Sequence, residues 1–80
     1  MLLDILTPEK KIYSGEAVAV SFPGTAGAFQ VLNNHAPLIS SLKAGQIKVR
    51  NNKEELFFSV KSGFVEVLKN NVTVLIESVE

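Results

Sequence analysis

Ser62-Gly63-Phe64-Val65-Glu66-Val67-Leu68-Lys69-Asn70-Asn71-Val72-Thr73-Val74-Leu75-Ile76 is the stretch on which the fold turns. Val65 and Val67 point one way while Glu66 points the other, and after the Asn pair Val72, Val74 and Ile76 alternate with Thr73, Leu75 and Glu77. A period of two is what a half-buried strand requires, because successive side chains leave the backbone on opposite faces. Asn70-Asn71 is expected to close the hairpin between the two runs, since Asn tolerates the positive φ of a type I′ turn.

The same punctuation continues upstream. Gln46-Ile47-Lys48-Val49-Arg50 alternates strictly and Asn51-Asn52-Lys53 turns it. Leu56, Phe58 and Val60 then share a face opposite Phe57, Ser59 and Lys61, and Ser62-Gly63 turns the chain again in what reads as a meander. Earlier, Leu3 and Ile5 flank Asp4, Pro8 to Lys11 turns the chain, and Ile12-Tyr13-Ser14-Gly15 reads as a short edge segment. Glu16 to Phe22 reads as one strand with Val18, Val20 and Phe22 on one face and Ala17, Ala19 and Ser21 on the other. Pro23 to Gly27 and Asn33 to Pro37 are loops around the apolar run Phe29 to Leu32, and Leu38 to Leu42 follows the second. About eight to ten short strands at this spacing predict an all-β fold, a two-sheet antiparallel β-sandwich forming a single domain over residues 1–80. Three Asn-Asn pairs (33–34, 51–52, 70–71) each fall at a turn, which local turn chemistry explains.

Composition narrows the function. With 46% hydrophobic residues the chain has enough apolar surface to form a core, which excludes disorder. Eight basic residues balance eight acidic ones. The basic excess of a general nucleic-acid binder is missing, and Phe57, Phe58 and Phe64 sit among Glu54, Glu55 and Lys61 rather than on a positive track. Low net charge suits a subunit held in a complex. No apolar run approaches the ~20 residues of a membrane-spanning helix, and Met1-Leu2-Leu3-Asp4 does not open a signal peptide or transit segment. The expectation is a soluble, cytosol-facing protein without direct membrane insertion.

Chemistry is sparse. There is no Cys, and the one His, His35, has no carboxylate close to it in sequence, so neither a hydrolase triad nor a metal centre is expected. His35 is expected to hydrogen-bond its own turn. Gly24-Thr25-Ala26-Gly27 lacks the Lys-Ser/Thr and the helix start of a phosphate cradle. No catalytic residue and no cofactor is expected. Phe57 and Leu75, with Leu6, fall on outward positions, and a gathering of such residues on one sheet would mark a docking surface.

The loops carry a resemblance. Leu3-Asp4-Ile5-Leu6-Thr7-Pro8 and Tyr13-Ser14-Gly15-Glu16 are similar to the opening of the epsilon subunit of F-type ATP synthases. Phe22-Pro23-Gly24-Thr25-Ala26-Gly27-Ala28-Phe29-Gln30-Val31-Leu32 resembles that family's Pro-Gly…Gly-x-Phe/Leu loop, and Asn34-His35-Ala36-Pro37-Leu38 its His-Ala-Pro-Leu motif. Leu42-Lys43-Ala44-Gly45, Ser62-Gly63-Phe64-Val65-Glu66-Val67 and Asn71-Val72-Thr73-Val74-Leu75 continue the series in the same order.

The resemblance implies a non-catalytic rotor subunit of the central stalk in a proton-translocating ATP synthase, peripheral to the cytoplasmic face of the bacterial inner membrane. It would join the gamma subunit to the c-ring and so help couple proton flow to ATP synthesis. By motif, Thr7, His35, Ala36, Leu38 and Ser40 would face gamma, and Thr25, Ala26, Gly27 and Ala28 the ring. Ala26 and Ala28 stand where relatives often carry acidic residues, so ring contact through backbone or apolar atoms is expected rather than through charge. Gln30 and Asn34 replace frequent glycines, the latter with a residue that still reaches positive φ. Many relatives continue into a helical hairpin that restrains hydrolysis, in some by binding ATP. With no such segment after Glu80, neither ATP binding nor that restraint is expected here. The alternative is a stand-alone β-sandwich module for a peptide or carbohydrate, which leaves the ordered motifs unexplained.

Overall fold

A computed structural model describes residues 1–77; residues 78–80, counted in the single domain expected above, lie outside the described residues. Among the described residues there are nine strands: β1 (Leu2–Leu6), β2 (Lys11–Glu16), β3 (Ala19–Gly24), β4 (Gly27–Leu32), β5 (Leu38–Leu42), β6 (Gly45–Arg50), β7 (Glu55–Val60), β8 (Gly63–Leu68) and β9 (Asn71–Ile76). They form one curled sheet in the order β2-β1-β9-β8-β5-β3-β6-β7, with β4 on the remaining side of β3. The junction of β5 with β3 is a single residue pair, Gly24 with Leu42. At that seam the sheet folds into a five-stranded layer (β2-β1-β9-β8-β5) and a four-stranded layer (β4-β3-β6-β7).

The alternation read from the sequence decides which faces meet. Leu3, Ile5, Val65, Val67, Val72, Val74 and Ile76 from the first layer pack with Val20, Phe22, Val31, Ile47, Val49 and Val60 from the second, all but sealed from solvent. Each such side chain contributes about 1.5–3 kcal/mol relative to exposure. Phe22 and Phe29 stack with ring centroids 5.4 Å apart, and Tyr13 of β2 meets Phe58 of β7 at 5.8 Å, joining the two layers along one margin.

Four local readings change. The run from Glu16 to Phe22 is not one strand. Ala17 N–H donates to Met1 C=O and Val18 N–H to Arg50 C=O, so the chain crosses between layers there, and Ala17 is small enough to be buried at the crossing. The second half is not a continuous meander either, because β7 and β8 belong to different layers and Ser62-Gly63 carries the chain from one to the other. The β8–β9 turn is centred one residue early: Lys69 (φ 51°) and Asn70 (φ 61°) are its left-handed pair, and Asn71 already begins β9. Finally, β1 and β9 pair in parallel although every other pair is antiparallel. Parallel neighbours need a long crossover, and here the strands between them supply it.

A register shift between Ile5 and Leu6 leaves Ile12 unpaired opposite β1. The bulge lets the consecutive residues Ile12 and Tyr13 both pack on the core, which a regular strand forbids. At the β3–β4 turn Gly27 has φ 134°, a conformation that L side chains rarely adopt.

Candidate docking face

Cross-strand pairing gathers the outward apolar residues of the five-stranded layer into rows. Leu6 lies opposite Leu75, Leu75 opposite Phe64, and Phe64 opposite Ser41, one row across four strands. With neighbouring strands about 4.8 Å apart, the row is roughly 14 Å long. The next row is polar except at its end: Asp4, Thr73, Glu66 and Ile39. Phe64 is 61% exposed and Ile39 74%. Leu6, Leu75, Phe64 and Ser41, with Pro8, line a groove of about 490 Å³ that runs along the first row.

Asp4 stands toward the β2 edge of this face, at the opposite end of its row from Ile39. One of its carboxylate oxygens, Oδ1, is shielded from solvent without a hydrogen bond among the described residues, and Lys11 Nζ approaches it only to 3.8 Å. A desolvated carboxylate oxygen is costly to leave unmatched, so the face combines apolar surface with one unmet acceptor. Phe57 does not join this patch. It lies on the outer surface of the four-stranded layer, opposite Lys48, which in turn lies opposite Ser21.

The residues assigned to gamma by motif do not form one patch. Thr7 lies at the end of the sandwich where Leu6, Gly63 and Ser41 approach one another. His35 and Ala36 lie at the other end, where Asn34 N–H donates to Asn70 Oδ1. The Thr7 hydroxyl is committed to its own turn, accepting from Glu9 and Lys10 N–H and donating to Lys10 C=O. His35 Nδ1 lies 2.7 Å from the carbonyl oxygen of Ala36, the turn contact expected of it. Leu38 packs against the core, and Ser40 is half-buried on the same strand face as Leu38 and Leu42. The outward residues of β5 are instead Ile39 and Ser41. Sequence reading missed them because Leu38 and Ile39 are both apolar. The deciding signal is Leu42, whose burial fixes which alternate positions face inward.

Thr25, Ala26, Gly27 and Ala28 do stay together, all exposed at the β3–β4 turn, on the same end as Thr7. Thr25 N–H donates to Ser41 C=O and the Thr25 and Ser41 hydroxyls are 2.7 Å apart, so this turn is tied to β5. Among the described residues no three His, Cys, Asp or Glu side chains gather where they would hold a metal ion, and no helix is long and apolar enough to cross a membrane.

The profile of the family described as ATP synthase, Delta/Epsilon chain, beta-sandwich domain matches residues 1–80. The chain belongs to this family. An ATP synthase epsilon chain of Pelotomaculum thermopropionicum is 41% identical over 78 residues, 98% of this chain and 58% of that relative. One from Chlorobium limicola is 51% identical over 43 residues, 54% of this chain and 49% of the relative. The chain thus spans about half the length of these epsilon chains. Among solved structures, a chain of the Euglena gracilis mitochondrial ATP synthase (OSCP/F1/c-ring, rotational state 1) superposes with a TM-score of 0.90 at 17% identity, over 98% of this chain and 51% of the other. A chain of the Tetrahymena thermophila mitochondrial ATP synthase central stalk and c-ring gives 0.85 at 15% identity, over 99% and 64%. At these identities the superpositions speak for the delta/epsilon sandwich fold alone.

Proposed function

We propose that this delta/epsilon domain is a non-catalytic rotor part of a proton-translocating F-type ATP synthase, joining the gamma subunit to the c-ring at the cytoplasmic side of a bacterial membrane. The observation that carries it is the family match along residues 1–80, together with an epsilon-chain relative aligned to nearly the full chain. That match, rather than the sandwich geometry, separates a rotor subunit from a stand-alone binding module.

The outer face of the five-stranded layer would meet gamma through the Leu6, Leu75 and Phe64 row and Ile39. Burying this apolar surface is the driving force. The exposed Thr25 to Ala28 turn would meet the ring. Since Ala26 and Ala28 carry no charge, that contact relies on backbone and apolar atoms. The domain's work is mechanical: it fastens the shaft to the ring while ATP forms elsewhere in the complex.

Co-expression with gamma tests this directly. The wild-type chain should co-purify in a one-to-one complex. Phe64→Glu, which alters an exposed side chain, should abolish the complex while the free domain still folds, as judged by its far-ultraviolet dichroism. A chain that ignores gamma, or a Phe64→Glu variant that binds as wild type, would overturn the assignment of this face.

A further inference from the structure

The three Asn pairs answer to local turn chemistry one at a time, yet the fold brings them to one end of the sandwich. Asn33 and Asn34 from the β4–β5 loop, Asn51 and Asn52 from the β6–β7 turn, and Asn70 from the β8–β9 turn line a single bowl of about 690 Å³ together with Lys53. It lies at the opposite end from Thr25 and Thr7 and shares no lining residue with the groove on the docking face.

Two amides in this bowl, those of Asn51 and Asn70, are oriented by backbone N–H groups. Asn51 Oδ1 accepts from both Lys53 N–H and Glu54 N–H, at 2.9 Å each. Asn70 Oδ1 accepts from Asn34 N–H at 2.8 Å. A backbone N–H can be met only by an acceptor, so in each case the amide oxygen is turned to the turn and the NH₂ group is turned away from it. Among the described residues neither Asn51 Nδ2 nor Asn70 Nδ2 has a protein partner. The result is a concave site whose fixed, unspent groups are donors, with the Lys53 ammonium at its edge. Two further charges line it: the N-terminal ammonium of Met1, which donates to Ala17 C=O and to Asn33 Oδ1, and the carboxylate of Glu16, exposed at the rim 3.7 Å from that ammonium.

We infer that this asparagine-lined bowl binds a small oxyanion, a carboxylate or a phosphate group, through the amide nitrogens of Asn51 and Asn70 and the ammonium of Lys53. Both groups are acceptors with several lone pairs, the complement of fixed N–H donors beside a cation. A neutral polyol fits less well, since its hydroxyls also need acceptors, and the amide oxygens of Asn33, Asn51 and Asn70 are engaged. Glu16 opposes the anion and tunes affinity downward.

The test is a titration of the ¹⁵N-labelled domain with inorganic phosphate and, separately, with malonate, against sodium chloride at matched ionic strength. Saturable shifts of the Asn51 and Asn70 side-chain NH₂ resonances are expected with one or both anions, and the stronger of the two names the source. Asn51→Asp and Asn70→Asp keep the oxygen that holds each turn but exchange the NH₂ donor for a charged acceptor. Each should fold as wild type and weaken binding by about tenfold or more, the scale of one charge-assisted hydrogen bond. Glu16→Gln should tighten it. Shifts that match sodium chloride, Asp variants that bind as wild type, or a Glu16→Gln variant that binds more weakly would each overturn the site.

Discussion

A methyl group placed on Gly63 would collide with the carbonyl oxygen of Leu75 and lie 3.0 Å from Cγ2 of Ile76. The first of these atoms is backbone in the adjoining strand and cannot swing aside. Gly63→Ala should therefore cost about 1–3 kcal/mol, the usual range for forced overpacking. In a domain this small that lowers the melting temperature by at least about 4 °C, read by thermal unfolding followed by dichroism. The sequence marks Gly63 only as a turn. Its second role arises because β9 lies against β8 at that point, a tertiary fact with no local signal. Asn34 is the contrasting case. Its φ of 63° was legible, since Asn is the side-chain-bearing residue most at ease there.

At the scale of single elements, alternation was the dependable signal wherever one face is wholly apolar. In β6 it places Ile47 and Val49 inward, and in β9 Val72, Val74 and Ile76. It failed where both parities are apolar or both small. Leu38-Ile39 hid the true outward residue of β5, and Ala17-Val18-Ala19 hid the crossing between layers. The β8–β9 turn was found but misplaced by one residue, because nothing in a lysine announces a left-handed backbone. Lys69 sits at φ 51° with a side chain that resists it. Lys69→Gly should relieve that resistance and stabilise the domain by roughly 0.5–1 kcal/mol, even though glycine is costlier to order elsewhere. Urea unfolding gives the check, with the midpoint rising at constant slope. A midpoint that falls would mean that the Lys69 side chain contributes more than its backbone strain removes.

Across the whole molecule, the layers depend on a core set by few large side chains, and Phe22 is the largest of those fully buried. Stability scales to about 4–12 kcal/mol for a chain of this length. Phe22→Ala is expected to remove about 3–5 kcal/mol of it. Thermal unfolding followed by dichroism should show a melting temperature lowered by at least about 12 °C, restored in part by excess gamma if gamma binds only the folded form. The sandwich class and most strands were legible because they follow from local periodicity. The parallel pairing of β1 with β9 was not, because no turn joins these strands and their contact is decided by the closure of the whole sheet. The candidate docking face shares that origin. Leu6, Leu75 and Phe64 are far apart in sequence and meet only through strand order.

That strand order makes neighbouring residues in β5 answer different questions. Leu38 points to the core and Ile39, one residue on, is 74% exposed. Leu38→Asp would place an unpaired carboxylate against apolar neighbours, which costs several kcal/mol and should unfold the domain outright. Ile39→Asp leaves its charge in water, so stability should stay within about 0.5 kcal/mol of wild type. Gamma then separates the two sides of the strand. If the outer face docks, the folded Ile39→Asp variant must bury its charge at the interface, and affinity for purified gamma should fall by about a hundredfold. Melting curves taken beside calorimetric titrations distinguish loss of fold from loss of grip. Unchanged affinity for Ile39→Asp, with Leu38→Asp folded and unable to bind, would return the contact to the inward side of β5 and remove the apolar row from the interface.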